Sequence, residues 1–206
     1  MRTVNFDTEQ IIPSKIICVG RNYVEHIEEL GNEIPDEMVV FIKPNSAISE
    51  HLTAFHLSEP LHYEGELCFL YQNGRFSAVA IGLDLTKRQL QTQLKRKSLP
   101  WERAKAFDGS AVFSDFVTLK NVDTHSLALS LKINDEIMQQ GSVDLMIYKP
   151  EEILNELKTF MTLEDGDIVM TGTPKGVGTI NPEDEFLGHV LTEKNELISH
   201  QWRVIE

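Results

Sequence analysis

The sequence predicts a β-rich α+β fold, and three observations carry that prediction. Short apolar runs rich in β-branched and aromatic residues recur along the chain, bounded by turn residues. Two of the bounds, Asn73-Gly74 and Asn134-Asp135, sit where a two-residue hairpin turn is expected. Helical stretches are few and do not alternate with the strands, which argues against a doubly wound parallel sheet.

In chain order, "KIICVG" (15–20) reads as a strand and "NYVEHIEEL" (22–30) as a helix. "MVVFIK" (38–43) and "ELCFLY" (66–71) follow as strands, the second returning through Asn73-Gly74 into "RFSAVAIGLDLT" (75–86). "TKRQLQTQLKRK" (86–97) reads as a helix, and "LSLKINDEIMQQ" (129–140) as a hairpin. In "PEEILNELKTFM" (150–161), Pro150 suits a first-turn position, and Ile153, Leu154, Leu157 and Met161 form one core-facing stripe. "DIVMTG" (167–172) is a strand entering a glycine-rich loop, and residues 185–205 form a terminal hairpin.

With 206 residues, 41% of them hydrophobic and 25% charged, the chain can bury a sizeable core. No low-complexity linker divides it, so one domain over 1–206 is expected, with a short lead-in over 1–14. The net charge of −13 disfavours nucleic-acid partners, whose binding depends on neutralising phosphates. An anionic ligand therefore needs local positive charge. Cys18 and Cys68 lie in apolar runs without metal-ligand spacing and read as reduced core residues. No apolar signal region or membrane-length run is present, so a cytoplasmic protein with no membrane partner is expected.

The stretch "LHYEGELCFLY" (61–71) is unusual. It places Glu64 and Glu66 in an apolar strand, separated only by Gly65. Side chains alternate along a strand, so both carboxylates face one way, about 7 Å apart at Cα. Like charges beside an apolar run need water or a cation to compensate them; a solvated sheet edge is the plainer alternative. If Asn73-Gly74 is the turn, Gln72 pairs with Arg75, Glu66 faces Ile81 and Glu64 faces Leu83. Asp84 then arrives beside both glutamates but on the wrong face, and a bulge or strand exit at Gly82 is expected to turn it. Three converging carboxylates suit a hard divalent cation, Mg²⁺ or Mn²⁺. For Asp84 alone, a cap on the following helix is the competing role.

In "GRNYVEHIEEL" (20–30), Asn22 is the expected N-cap, with Glu25 completing a capping box. Tyr23, Ile27 and Leu30 share a face, with His26 at its margin. Glu29 lies one turn on, where a carboxylate can orient the imidazole and favour its protonated form. "TGTPKGVG" (171–178) lacks the order of a Walker loop, yet can offer backbone amides and a hydroxyl to a small anion; a structural turn is the alternative. Residues 87–105 hold seven basic side chains against one acid, Glu102. Most such runs are solvated helix surface, and Lys105 is the best inward-facing candidate.

Together the blocks "VGRNYVEHIEEL", "VFIKP", "HYEGEL", "GLDLT", "LPWERAKAFDGS", "KINDEIMQQG", "LMIY" and "LEDGDIVMTGTPKGVG" resemble, in order, the fumarylacetoacetate hydrolase family. The likeness is to its short, single-domain acylpyruvate- and fumarylpyruvate-hydrolase branch, and it runs from about residue 15 onward. It implies a mixed β-sandwich or β-roll with a few peripheral helices, usually a homodimer. It also implies Glu64, Glu66 and Asp84 as ligands of Mg²⁺ or Mn²⁺, with His26 and Glu29 as a water-activating pair on a closing segment. Lys105 matches the active-site lysine, Arg21 and Gln91 match polar residues near the substrate, and Thr173 lies in the pocket loop. The chain departs from relatives in its tight hairpin before Asp84, in Gln89 where aspartate is frequent, and in Val112 where proline is frequent.

The function so implied is hydrolysis of a carbon–carbon bond in a 3-acylpyruvate or related β-diketo acid, a small anionic keto acid. Oxaloacetate decarboxylation and isomerisation of an unsaturated keto acid are the enzymatic alternatives; a non-catalytic binding protein is the alternative of another class. Pockets separate acyl groups by roughly 1–3 kcal/mol per methylene, so the expectation stays with the substrate class.

Overall fold

Residues 1–29, 31 and 33–205 are described by a computed structural model. Two twisted sheets dominate it, as the strand-rich sequence requires. A mixed eight-stranded sheet has the order Val39–Pro44, Lys15–Gly20, Ile168–Met170, Gly65–Gln72, Arg75–Asp84, Ala111–Phe113 and Ile48–Ser49, with Val117–Thr118 added alongside Arg75–Asp84. The second sheet has five strands, in the order Glu136–Ser142, Ala128–Ile133, Glu185–Leu191, Glu196–Ile205 and Leu52–Thr53.

Strand alternation decides what each face buries. Leu67, Phe69, Val79 and Ile81 face the second sheet, where Leu129, Leu131, Phe186 and Trp202 complete the main core. The opposite face carries Cys18, Cys68, Leu70, Ala80 and Met170, covered by Val4 and Phe116. Both cysteines are buried and free. Helix α4 (Pro150–Phe160) lays Ile153 and Leu157 on Ile17, Val19 and Val169, with Leu154 and Met161 at the margin of the same cluster. The other helices are short: α1 (Val24–Glu29), α2 (Arg88–Arg96) and α3 (Glu102–Lys105).

Both predicted hairpin turns form. Asn73 and Gly74 have φ of 53° and 81°, and Asn134 and Asp135 have 50° and 68°, the left-handed pair that a type I′ turn demands. The register differs from the expectation in one consequential place. Gln72 pairs with Arg75 and Tyr71 with Phe76, but Leu70 then pairs with Ala78, leaving Ser77 as an extra residue. Beyond this bulge Glu66 lies opposite Gly82, and Asp84 N–H donates to Glu64 O at 2.9 Å. The parity change that brings Asp84 onto the glutamates' face therefore occurs next to the turn, at Ser77, and not at Gly82.

Gly82 is glycine for another reason. A Cβ there would meet Cys68 Sγ at 2.6 Å and Phe113 Cδ1 at 2.7 Å. Gly65 answers to the other face, where a Cβ would crowd Gln139 Oε1 at 3.0 Å and Leu131 Cδ2 at 3.2 Å. The glutamates are thus separated by a residue pressed against the second sheet, while their own side chains emerge on the far side.

The expected N-cap at Asn22 is not made. Its side-chain amide donates to Thr171 O at 2.8 Å and Tyr148 O at 2.9 Å, and its oxygen accepts from Tyr148 N at 2.7 Å. These long-range bonds outcompete a local cap, and α1 begins after Tyr23. Leu30, expected on the apolar face of this helix, lies outside the described residues.

Candidate active site

Glu64, Glu66 and Asp84 converge where the two hairpin strands meet α2. Each offers a carboxylate oxygen, the three lie within 4.8 Å of one another, and all three residues are buried. Lys105, at the end of α3, donates to Glu64 Oε2 at 2.8 Å, Asp84 Oδ2 at 2.7 Å and Thr86 Oγ1 at 2.6 Å. Arg88, in the first turn of α2, pairs with Glu64. Lys43, fully buried in its strand, places Nζ 2.8 Å from Asp84 Oδ1, without the alignment of a hydrogen bond.

The compensation is uneven. Burial raises the Glu64 carboxyl, but Lys105 and Arg88 outweigh it and hold the group well below the usual range. Burial also opposes the Lys105 charge, and Asp84 and Glu64 overcome it, leaving the ammonium raised. Among the described residues Glu66 has no ion pair, and Lys105 offsets its burial only in part. Among the described residues its carboxylate accepts one hydrogen bond, from Gly172 N at 2.7 Å. Burial first, then Asp84 and Glu64, push its pKa well above the normal value. A buried all-oxygen set in which one carboxylate has no ion-pair partner among the described residues suits a hard divalent cation.

The rim of the same cavity is formed by His26, Arg21, Gln91, Thr173 and Lys95. His26 Nδ1 lies 3.1 Å from Glu29 Oε2, and Glu29 also accepts from Gly176 N at 3.0 Å. A carboxylate can only accept, so Nδ1 carries the proton and Nε2 is the basic nitrogen of the neutral ring. Glu29 does favour the imidazolium, as expected, but burial outweighs it and lowers the His26 pKa below its ordinary value.

The remaining predicted residues are also at the cavity, with altered duties. Gln91 is buried, and its oxygen accepts from Arg88 at 2.8 Å. Arg21 adopts a φ of 56° as the chain leaves its strand, and its guanidinium reaches Glu33 O at 3.5 Å. The Thr173 hydroxyl donates to Gly65 O at 2.9 Å and accepts from Gln139 Nε2 at 2.8 Å, so it is engaged internally. The glycine-rich loop does offer amides to anions, but these anions are the protein's own Glu66 and Glu29.

Sequence reasoning missed Lys43, Arg88 and Gln139. A lysine inside "VVFIKP" was a signal for the first, since a charge in an apolar strand demands a partner. The segment 87–105 is not all solvated: Lys87 is buried as well as Lys105.

The family model for the fumarylacetoacetate hydrolase C-terminal region matches residues 15–199. The chain belongs to the fumarylacetoacetate hydrolase family. An oxaloacetate tautomerase of Escherichia coli (strain K12) is 37% identical, over 88% of this chain and 92% of the relative. A mitochondrial oxaloacetate tautomerase of Schizosaccharomyces pombe is 33% identical, over 92% and 95%. Among solved structures, fumarylpyruvate hydrolase from Pseudomonas aeruginosa in complex with Mn²⁺ and pyruvate superposes with a TM-score of 0.87 at 29% identity, covering 99% of this chain and 95% of that one. These family members come from bacterial and mitochondrial settings, and among the described residues no helix is long and apolar enough to cross a membrane.

Proposed function

We propose that this family member is a divalent-cation-dependent enzyme that moves a proton at C3 of a small 2-oxo acid, interconverting the keto and enol forms of oxaloacetate. The carrying observation is a neutral, buried imidazole held on a carboxylate at the rim of a cavity floored by three carboxylates. Near full-length relatives that bear the tautomerase name support the choice of substrate.

In this reading Glu64, Glu66 and Asp84 hold Mg²⁺ or Mn²⁺. The bound cation supplies Lewis acidity that stabilises negative charge on a carbonyl oxygen. His26 Nε2 takes the C3 proton and returns it to the carbonyl oxygen, and Glu29 fixes the tautomer that leaves Nε2 basic. Lys105 keeps Glu64 and Asp84 drawn together and adds fixed positive charge where negative charge develops. Arg21 and Gln91 orient the substrate from the rim, and Thr173 shapes the wall.

Hydrolysis of acylpyruvates is the second reading, favoured by the superposition with fumarylpyruvate hydrolase. There the same imidazole would take its proton from water. The two are separated by a panel with Mg²⁺ or Mn²⁺. Oxaloacetate enol–keto relaxation is followed by ultraviolet absorbance, pyruvate release reports decarboxylation, and acetylpyruvate and fumarylpyruvate report cleavage. Tautomerisation is expected to be accelerated most. Rapid acylpyruvate cleavage without faster relaxation of oxaloacetate would replace the leading reading with hydrolysis.

A further inference from the structure

Helix α2 runs away from the acidic triad with one polar face towards the cavity. Arg88, Gln91 and Lys95 follow one another at spacings of three and four residues, and all three line the cavity. From Arg88 to Lys95 is about two turns, roughly 10 Å along the axis. Arg88 is paired with Glu64, and Lys105 with Glu64 and Asp84. Lys95 differs. Among the described residues it has no carboxylate partner, and its ammonium lies 4.8 Å from the ring centre of Trp101, another cavity residue.

We propose that Lys95 is the recognition group for a second substrate carboxylate, so that the site selects dicarboxylic 2-oxo acids over monocarboxylic ones. This rests on the reading of the triad as the seat of the 2-oxo acid end. Lys95 lines the same cavity as the triad, so a second carboxylate on a substrate seated there can meet the flexible lysine side chain. The ring of Trp101 supports a cation without neutralising it, leaving the ammonium available to an anion.

The electrostatic setting agrees. Burial, then Arg21, Arg88 and Lys105, lower the Lys95 pKa to about 8, with Glu64 pulling the other way. A half-buried ammonium that feels like charge from its own helix, from the loop before α1 and from α3 gains from an incoming carboxylate. The net charge of −13 makes such local positive charge necessary for any dianion to enter.

The test uses two unreactive 2-hydroxy acids as probes, malate with two carboxylates and lactate with one, titrated calorimetrically into the Mn²⁺-loaded protein. Wild type is expected to bind malate more tightly than lactate. Lys95→Gln should lose about 10–100-fold in malate affinity, the scale of one hydrogen bond to a charged group, and leave lactate and Mn²⁺ binding unchanged. Lys95→Arg should restore most of the preference. Equal losses for both probes, or an unchanged malate affinity in Lys95→Gln, would overturn the assignment. Oxaloacetate relaxation by wild type is measured in parallel. If that is absent while malate binding still depends on Lys95, the tautomerase reading fails and the dicarboxylate site stands. If relaxation is fast and malate ignores Lys95, only the carboxylate site fails.

Discussion

Glu66 and Asp84 stand on strands joined by eight register pairs and buried on both faces, with Glu64 immediately before the first of these strands, whereas His26 and Glu29 stand on a six-residue helix at the cavity rim. The floor is fixed by sheet register, so its geometry is inherited from the packed core beneath it. The rim is fixed by two buried side chains, Tyr23 and Ile27, and by polar links: the Asn22 amide to Tyr148 and Thr171, Gly176 N to Glu29, Ile147 N to Asn22 O at 2.8 Å, and an exposed Lys175–Glu25 pair. A helix this short has little intrinsic stability, so tertiary bonds must set its orientation. The difference assigns tasks. The sheet-borne part holds charges that repel one another, and the helix carries the imidazole that the proposed function uses as its base.

Substitution on the floor should have the largest effect. Glu66→Ala removes the triad carboxylate that has no ion pair among the described residues, and calorimetric titration is expected to show no measurable Mn²⁺ or Mg²⁺ binding and no turnover. The variant should still melt cooperatively, because the core of two packed sheets does not depend on this side chain. Retained Mn²⁺ affinity in Glu66→Ala would remove the triad as a cation site.

How far each region could be read from sequence follows from the same contrast. Asn73-Gly74 and strand alternation are local signals, so the hairpin and the shared face of Glu64 and Glu66 were legible. The bulge was not. Ser77 lies in "RFSAVA", where no glycine marks an irregularity, and its position reflects cross-strand bonding, including Leu119 N donating to Ser77 O at 2.9 Å. Gly82 looked like the bulge because glycine permits one, yet it answers to the crowding of Cys68 and Phe113. At the rim, Asn22 and Glu25 carry a capping pattern that long-range bonds to Tyr148 and Thr171 override. Propensity is a weak prior wherever a side chain can satisfy three distant backbone groups.

A substitution at the rim should lower rate and spare the cation. His26→Ala is expected to keep Mn²⁺ affinity within a few-fold and to slow oxaloacetate tautomerisation by about 10²–10⁴, the usual worth of a general base. Burial lowers the His26 pKa, so the neutral base persists below pH 6.5, and the acid limb of kcat/KM should lie below that value and vanish in the variant. The sign for stability is the same. With a folded pKa below the unfolded one, the contribution of neutral His26 is present above about pH 6.5 and is lost as pH falls through the folded value. An acid limb that survives in His26→Ala would assign it to another group.

The smallest expected effect tests the joint between the two regions. Gln139, 1% exposed on the outermost strand of the second sheet, accepts from Gly65 N at 2.8 Å and donates to Thr173 Oγ1 and Pro174 O, both at 2.8 Å. One amide thus clamps the backbone between the two glutamates to the loop whose Gly176 holds Glu29. In Gln139→Leu, buried Gly65 N–H loses its partner, which costs about 1–3 kcal/mol. At about 2–4 °C per kcal/mol for a chain of this size, the melting midpoint should fall measurably. Gln139→Glu separates the two functions of the amide. Its oxygen still accepts from Gly65 N, so the floor is kept, but an ionised carboxylate now faces Thr173 and Pro174 with no donor to offer. The loop is released, Glu29 loses its fixed amide, and His26 loses its orientation. Mn²⁺ affinity should therefore stay near wild type while kcat falls, with KM little changed. If Gln139→Glu loses cation affinity and rate together, the floor and the rim are a single cooperative unit, and the division of labour drawn from their geometry is wrong.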